Sequence, residues 1–127
     1  MYDAKTLLSA MEASKTPIYT YCHGYVMSAG LTIFTAGHRR FAGNYATFMI
    51  HQPTGNAGED KLFVMENRIE ETKRLKNIRT KYICDRTKLT EEDFENNRYI
   101  DWFMNTNEAK AYGIVHEVIG EGFGNAL

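Results

Sequence analysis

Three side chains of this 127-residue chain are of the types that nucleophilic catalysis needs. Ser28 lies in the segment GYVMSAG, residues 24–30, directly after a run rich in β-branched and aromatic residues. His51 lies in MIHQP, 23 residues later, and Asp101 stands just before a short helix with a capping signal. A serine, a histidine and a carboxylate can act as nucleophile, base and orienting acid of a serine hydrolase.

Ser28 is predicted at the junction between a strand and a short apolar helix. That position exposes the hydroxyl and directs the first amides of the helix toward an anion formed beside it. The amide of Ala29 is then a candidate oxyanion donor. Serine is also a preferred residue at the start of helices, so the segment fits an ordinary capping serine as well.

His51 ends a predicted strand, from which its ring could reach a cleft and titrate near neutral pH. The other interpretation is a histidine bound by a backbone carbonyl of the sheet. His38 in a polar turn and His116 on a strand are predicted to face solvent, and His23 lies before the bend that leads to Ser28.

Asp101 stands between Ile100 and Trp102 and is therefore predicted to be partly buried. A buried carboxylate needs a polar partner. The Nδ1 proton of a histidine is one candidate and a backbone turn is another. The remaining aspartates lie in more polar surroundings and are weaker candidates.

Hydrophobic periodicity predicts alternating helices and strands, hence an α/β fold with parallel strands in one domain, residues 1–127. Helices are predicted over 4–14, 28–36 and 59–85, from Thr90, and from a cap at Asn105 to Gly113; strands are predicted over 18–22, 41–42, 45–51, 101–104 and 114–119. Residues 120–127 are predicted to be a frayed tail.

The long predicted helix carries one apolar stripe whose members recur at spacings of three or four, or multiples of them. Its members are Leu62, Met65, Ile69, Leu75, Ile78 and Tyr82. So long a helix exceeds what the core of a small domain requires. Part of the stripe is therefore predicted to pack against another subunit.

Composition excludes several classes of protein. The net charge is −1 without a basic stripe, which argues against a nucleic-acid partner, and no apolar run reaches the ~20 residues of a membrane span. No apolar segment typical of a signal peptide follows the N-terminus. Cys22 and Cys84 show no metal-type spacing and are predicted to be reduced thiols in a cytosolic compartment. Neither a metal nor a cofactor is expected.

The chain resembles the Clp protease proteolytic subunit family from about Leu7 to Ile119. The segment 24–30 is similar to the family's Gly-x-Ala-x-Ser-x-Gly block, with Val26 in place of the usual alanine. The segment 49–53 is identical to the histidine block, and 101–104 occupies the place of the acidic motif. Residues 108–115, EAKAYGIV, are similar to the closing helix and strand.

The resemblance implies a crotonase-like fold with Ser28 as nucleophile, His51 as base, Asp101 as orienting acid and the Ala29 amide as oxyanion donor. It implies a cytoplasmic endopeptidase that hydrolyses unfolded polypeptides inside a chamber of two stacked heptameric rings, a tetradecamer. The long helix becomes the protruding handle that interlocks the rings. An AAA+ ATPase of the ClpX or ClpA type would deliver the substrates.

The family's N-terminal strands and its Ser-Pro-Gly-Gly oxyanion motif have no counterpart in residues 1–127. The resemblance therefore implies a truncated or divergent member with one oxyanion donor. A non-catalytic ring or scaffold subunit is the alternative. Another enzyme of the crotonase fold is less favoured, because signal-peptide peptidases use a lysine base and acyl-CoA hydratases use carboxylates.

Overall fold

The computed structural model describes residues 2–52 and 57–120, and the elements in them follow the predicted order. They are α1 (Tyr2–Ala13), β1 (Tyr19–Cys22), β2 (Tyr25–Met27), α2 (Ala29–Thr35), β3 (Arg39–Gly43), β4 (Thr47–Ile50), α3 (Leu62–Arg86), α4 (Glu91–Asn96), β5 (Trp102–Asn105), α5 (Thr106–Ala111) and β6 (Glu117–Ile119). The α/β prediction is confirmed. The predicted frayed tail lies, apart from Gly120, outside the described residues.

The strands form two three-stranded sheets, in the orders β1-β3-β6 and β2-β4-β5. The pairs β1-β3, β3-β6 and β2-β4 are parallel, as predicted, whereas β5 runs antiparallel to β4. Trp102 at the start of β5 pairs with Ile50 at the end of β4. After α4 the chain therefore re-enters the sheet at the end where β4 stops, and β5 runs in the direction opposite to β4.

The core lies between the strands and helices α2, α3 and α5. Phe48, Leu31, Ile83, Met104 and Ile114 are its largest fully buried apolar side chains. The rings of Phe34 in α2 and Phe48 in β4 are 5.5 Å apart, which joins the short helix to the central strand. Each such side chain stabilises the fold by about 1.5–3 kcal/mol.

Two capping boxes begin the short helices that flank β5. Thr90 and Asp93 exchange side chain–backbone hydrogen bonds at the start of α4, and Asn105 and Glu108 do the same at α5. Both predicted caps are confirmed. A cap of this kind contributes about 1 kcal/mol to stability and defines the residue at which each helix begins. The α5 cap, Asn105, is also the last residue of β5.

Helix α3 is the predicted long helix, but its apolar stripe is only partly covered. Leu62, Ile69 and Ile78 are 66%, 46% and 51% exposed. The buried residues of α3 are Arg79 and Ile83, which stand outside the predicted stripe. Packing of the stripe against a second subunit stays a prediction.

Other features bear on the class of protein. In the described part of the chain, no helix is both long and apolar enough to cross a bilayer. Within the same residues, no three or more histidine, cysteine or acidic side chains are grouped as metal ligands. Cys22 and Cys84 are free thiols, and burial raises the pKa of each, so the thiol form is favoured.

Candidate active site

Ser28 occupies a sharp turn between β2 and α2, with backbone angles φ 54° and ψ −120°. Ser28 is the one residue other than glycine with positive φ in the described part of the chain. A side chain in this region of φ/ψ space strains the backbone by about 1–3 kcal/mol. A strained strand-to-helix turn of this kind is the geometry that presents nucleophilic serines in hydrolases.

The hydroxyl of Ser28 makes no capping hydrogen bond, although the residue stands at the N-cap position of α2. The capping interpretation is therefore wrong for its side chain. The backbone is held instead: the Ser28 amide donates to Met49 O at 3.1 Å, and Leu31 N donates to Ser28 O at 3.0 Å. Ala29 is the first residue of α2, a position whose amide has no acceptor within the helix, so its N–H can donate to an anion.

His51 follows β4 directly, as predicted. Strands β2 and β4 are parallel, with Met27 opposite Met49, so Ser28 and His51 both lie where these neighbouring strands end. His51 is half-buried. Its Nδ1 lies 2.7 Å from the carbonyl oxygen of Gln52, which accepts when Nδ1 carries the proton. The ring therefore has a backbone carbonyl as partner, as the second interpretation from sequence expected, although Gln52 lies after the strand rather than in the sheet.

Asp101 precedes β5, and the antiparallel register places it next to the end of β4. Trp102 pairs with Ile50, so the following position on β4, His51, lies across from Asp101. The two residues line an open cleft of about 320 Å³ together with Gln52 and the segment 98–100. Backbone pairing alone therefore brings the predicted base and the predicted acid to one cleft.

The prediction that Asp101 is partly buried is wrong, because its side chain is exposed. Its neighbour Ile100 is also exposed and Trp102 only half-buried, so the flanking apolar residues do not cover the carboxylate. Among the described residues, no hydrogen bond joins Ser28, His51 and Asp101 to one another. The structure gathers the three residues at one end of the β2-β4-β5 sheet without linking their side chains.

The remaining histidines lie elsewhere. His38 and His116 are exposed, as predicted, yet the Nδ1 of each accepts a backbone amide, from Ile18 and from Arg40. Burial and the charges of Arg40 and Arg39 lower the pKa of His116, since each disfavours the imidazolium. His23 follows β1, and its ring stacks on that of Tyr21 with centroids 6.3 Å apart. His51 is thus the described histidine that directly follows a strand of the β2-β4-β5 sheet.

Sequence reasoning missed the residue that reaches the backbone of His51. The Nη2 atom of Arg79, in α3, donates to His51 O at 3.2 Å. An arginine on a long polar helix gives no sign of being buried. The spacing of four residues places Arg79 on the same face of α3 as Ile83, but only the structure shows that this face is buried.

Two comparisons place the chain among known proteins. A model of the Clp protease family matches residues 2–122. The chain is 30% identical to ATP-dependent Clp protease proteolytic subunit 2 of Prochlorococcus marinus (strain NATL2A) over 115 residues. The aligned segment covers 89% of this chain. The chain spans 58% of the length of that curated relative. Since the family model covers nearly all of the residues, and the strand–turn–helix at Ser28 and the His-Gln-Pro block fall within it, the chain belongs to the Clp protease family.

Proposed function

We propose that this chain is a serine-type endopeptidase subunit that hydrolyses peptide bonds of unfolded polypeptides. The observation that carries the proposal is the strained turn at Ser28, whose hydroxyl is free of capping bonds beside the strand that ends in His51. Membership of the Clp protease family supports the same chemistry.

The proposed reaction has two steps. Ser28 Oγ attacks the scissile carbonyl carbon while His51 Nε2 takes the hydroxyl proton, and the oxyanion is stabilised by the Ala29 amide. Collapse of the tetrahedral intermediate breaks the C–N bond, and His51 returns the proton to the leaving amine. Water then hydrolyses the acyl-enzyme by the same route, with His51 again as base.

Asp101 is proposed as the acid that orients His51. In the described conformation Nδ1 faces Gln52 O instead, so the ring must turn before the carboxylate can accept its proton. The open cleft that both residues line leaves room for that rotation. Asp101 would then stabilise the imidazolium that forms when Ser28 is deprotonated.

Assembly is part of the proposal. The exposed members of the α3 stripe, Leu62, Ile69 and Ile78, form a surface of the kind that subunit contacts cover. We place the chain in heptameric rings stacked as a tetradecamer in the cytoplasm, with an AAA+ ATPase of the ClpX or ClpA type as partner. The curated relative is named an ATP-dependent Clp protease proteolytic subunit, which supports a subunit role and an ATP-consuming partner.

Covalent labelling of Ser28 tests the proposal. A fluorophosphonate probe should add one adduct to the intact protein and to a Ser9→Ala control, an exposed serine of α1, and none to Ser28→Ala. Intact mass measures the adduct, and peptide mass spectrometry assigns its position. An adduct that persists on Ser28→Ala would overturn the assignment.

A second candidate function is a non-catalytic ring or scaffold subunit. The observation that favours it is the conformation of the site, in which Asp101 is exposed and His51 Nδ1 is bound to a backbone carbonyl. For such a subunit, circular dichroism would show a folded protein and native mass spectrometry would show an assembly, yet the probe would add no label. That result would contradict the endopeptidase proposal for this chain.

A further inference from the structure

Arg79 is a buried charge near the candidate base, and only 7% of the residue is exposed to solvent. Burial lowers the pKa of its guanidinium, because surroundings of low polarity disfavour the charged form. Within residues 2–52 and 57–120, no carboxylate forms an ion pair with it. Burial of a charge costs free energy unless hydrogen bonds compensate for its lost hydration, so the polar contact that Arg79 makes is important.

The contact that Arg79 makes is with the backbone of His51. Nη2 donates to His51 O at 3.2 Å, across 28 residues of sequence. This oxygen belongs to the peptide unit that joins His51 to Gln52. Because a peptide unit is planar, holding its oxygen restricts the rotation of the whole unit. Helix α3 is thereby tied to the chain where β4 ends.

The same stretch of backbone sets the direction of the His51 ring. Nδ1 lies 2.7 Å from Gln52 O, one peptide unit further along the chain. The buried Oε1 of Gln52 has no hydrogen-bond partner among the described residues. The hydrogen bond from Arg79 comes from another element and holds the peptide unit directly before Gln52.

We infer that Arg79 is a positioning residue, which fixes the His51–Gln52 peptide and through it the orientation and tautomer of the His51 imidazole. The inference rests on the proposed function, in which His51 is the base. When Nδ1 donates its proton to Gln52 O, the lone pair of Nε2 is free to accept the proton of Ser28. Asp101 can replace Gln52 O as acceptor later in the reaction, while Arg79 continues to hold the peptide.

A purely structural role is the competing explanation, because Arg79 and Ile83 are the two buried residues by which α3 rests on the body. Arg86 provides a matched control in the same helix. Its Nε and Nη2 donate to Thr35 O and Ala36 O at 2.7 and 3.1 Å, at the far end of α2 from Ser28. Replacing Arg86 removes an arginine-to-carbonyl contact of α3 without touching His51.

The experiment compares wild type, Arg79→Met, Arg79→Lys and Arg86→Met in the full chain. Fluorophosphonate concentration is varied, so that the rate constant of acylation is separated from probe binding. In parallel, modification of His51 by diethyl pyrocarbonate is quantified by peptide mass spectrometry against His38 in the same molecule. The second measurement reads the His51 ring and needs no enzymatic activity.

In Arg79→Met, the acylation rate constant should fall about 10- to 100-fold with probe binding unchanged, since a small misplacement of a base has effects of that size. His51 should react faster with diethyl pyrocarbonate than in wild type, because its ring is released. Arg79→Lys should restore most of both properties. Arg86→Met should match wild type in both, once values are normalised to folded protein.

A folded Arg79→Met protein with wild-type acylation and wild-type reactivity of His51 would overturn the inference, as would equal losses in Arg86→Met. If Arg79→Met does not fold, Arg79→Gln, which keeps a donor of shorter reach, takes its place in both measurements. Wild type that is never acylated refutes the proposed function alone. The reactivity of His51 in the Arg79 variants still decides the positioning role.

Discussion

The two ends of helix α2 differ in how their polar groups are held. At the C-terminal end, Arg40 is 4% exposed and its guanidinium donates all five N–H groups to backbone carbonyls. The acceptors, at 2.8–3.2 Å, belong to Thr35, Gly37, Arg86, Gly113 and Ile114. At the N-terminal end, the Ser28 hydroxyl makes no capping bond, and the amide of Ala29, at the first position of the helix, has no acceptor within it.

The C-terminal end of α2 therefore fixes the position of the helix in the fold, whereas the N-terminal end keeps polar groups that can contact a ligand. Arg40 joins the end of α2, the end of α3 and the turn before β6, so a shift of one displaces the others. Two further donors from Arg86 complete this end. The strained turn at Ser28 lies at the other end of this seven-residue helix, where the backbone is held locally by the hydrogen bond from the Ser28 amide to Met49 O.

Loss of the anchored end should have the largest effect on stability. Arg40→Met removes the guanidinium donors of five carbonyl groups, of which Thr35 O keeps a second donor in Arg86 Nε. We expect a fall of at least about 3 kcal/mol in the free energy of unfolding. Burial and the charge of Arg86 lower the pKa of Arg40 to about 10, so the group remains charged at neutral pH. Denaturant unfolding measures the change.

The adjacent Arg39 is the matched control for Arg40. Its side chain is 46% exposed and pairs with Glu117 at the surface, so Arg39→Met should cost no more than about 1 kcal/mol. Similar losses for the two variants would show that the end of α2 is not specially anchored.

Relief of strain at the other end should have a smaller effect of opposite sign. Glycine adopts the backbone angles of Ser28 freely, so Ser28→Gly should raise the free energy of unfolding by about 1 kcal/mol after its entropic cost. Ser28→Ala keeps the Cβ atom and the strain, and should leave stability close to wild type. Both variants should lose labelling by the probe. Equal stability of the glycine and alanine variants would contradict the strain.

The smallest effect expected concerns His116, whose Nδ1 accepts the amide of Arg40 at 3.0 Å. Its pKa is lowered from 6.5 by burial and by the charges of Arg40 and Arg39. The unfolded state therefore binds a proton more readily, and stability should decline as the pH falls through 6.5 toward the lower folded pKa. The decline should be at most about 1 kcal/mol, since one exposed hydrogen bond is involved.

Denaturant unfolding at about pH 7.5 and about pH 5.5 measures this decline. His116→Asn retains an acceptor that does not titrate, so its stability should change less over this range than that of wild type. His38→Asn is the control, because His38 accepts a backbone amide in the same manner, from Ile18 rather than from Arg40. An identical pH dependence in wild type and His116→Asn would contradict the prediction.

Local signals in the sequence were sufficient for most of the elements, although several of their ends differ from the prediction by two or three residues. Thr90 with Asp93 and Asn105 with Glu108 interact within one turn of helix, so the caps that start α4 and α5 could be predicted from residue spacing. The strand that ends before His51 and the junction at Ser28 follow from short-range patterns as well. The exposure of Asp101 could not be predicted this way, because its apolar neighbours pack only when a distant element covers them.

Residue patterns alone predicted an α/β chain with Ser28 after a strand, His51 at the end of another strand and Asp101 at the start of a short extended segment. The antiparallel direction of β5, which brings His51 and Asp101 to one cleft, and the burial of Arg40 and Arg79 with backbone carbonyls as partners became visible only in the three-dimensional structure. The physical reason is the range of the interactions. Caps, turns and periodicity act over a few residues, whereas strand direction and the burial of a charge depend on groups brought together from distant parts of the chain.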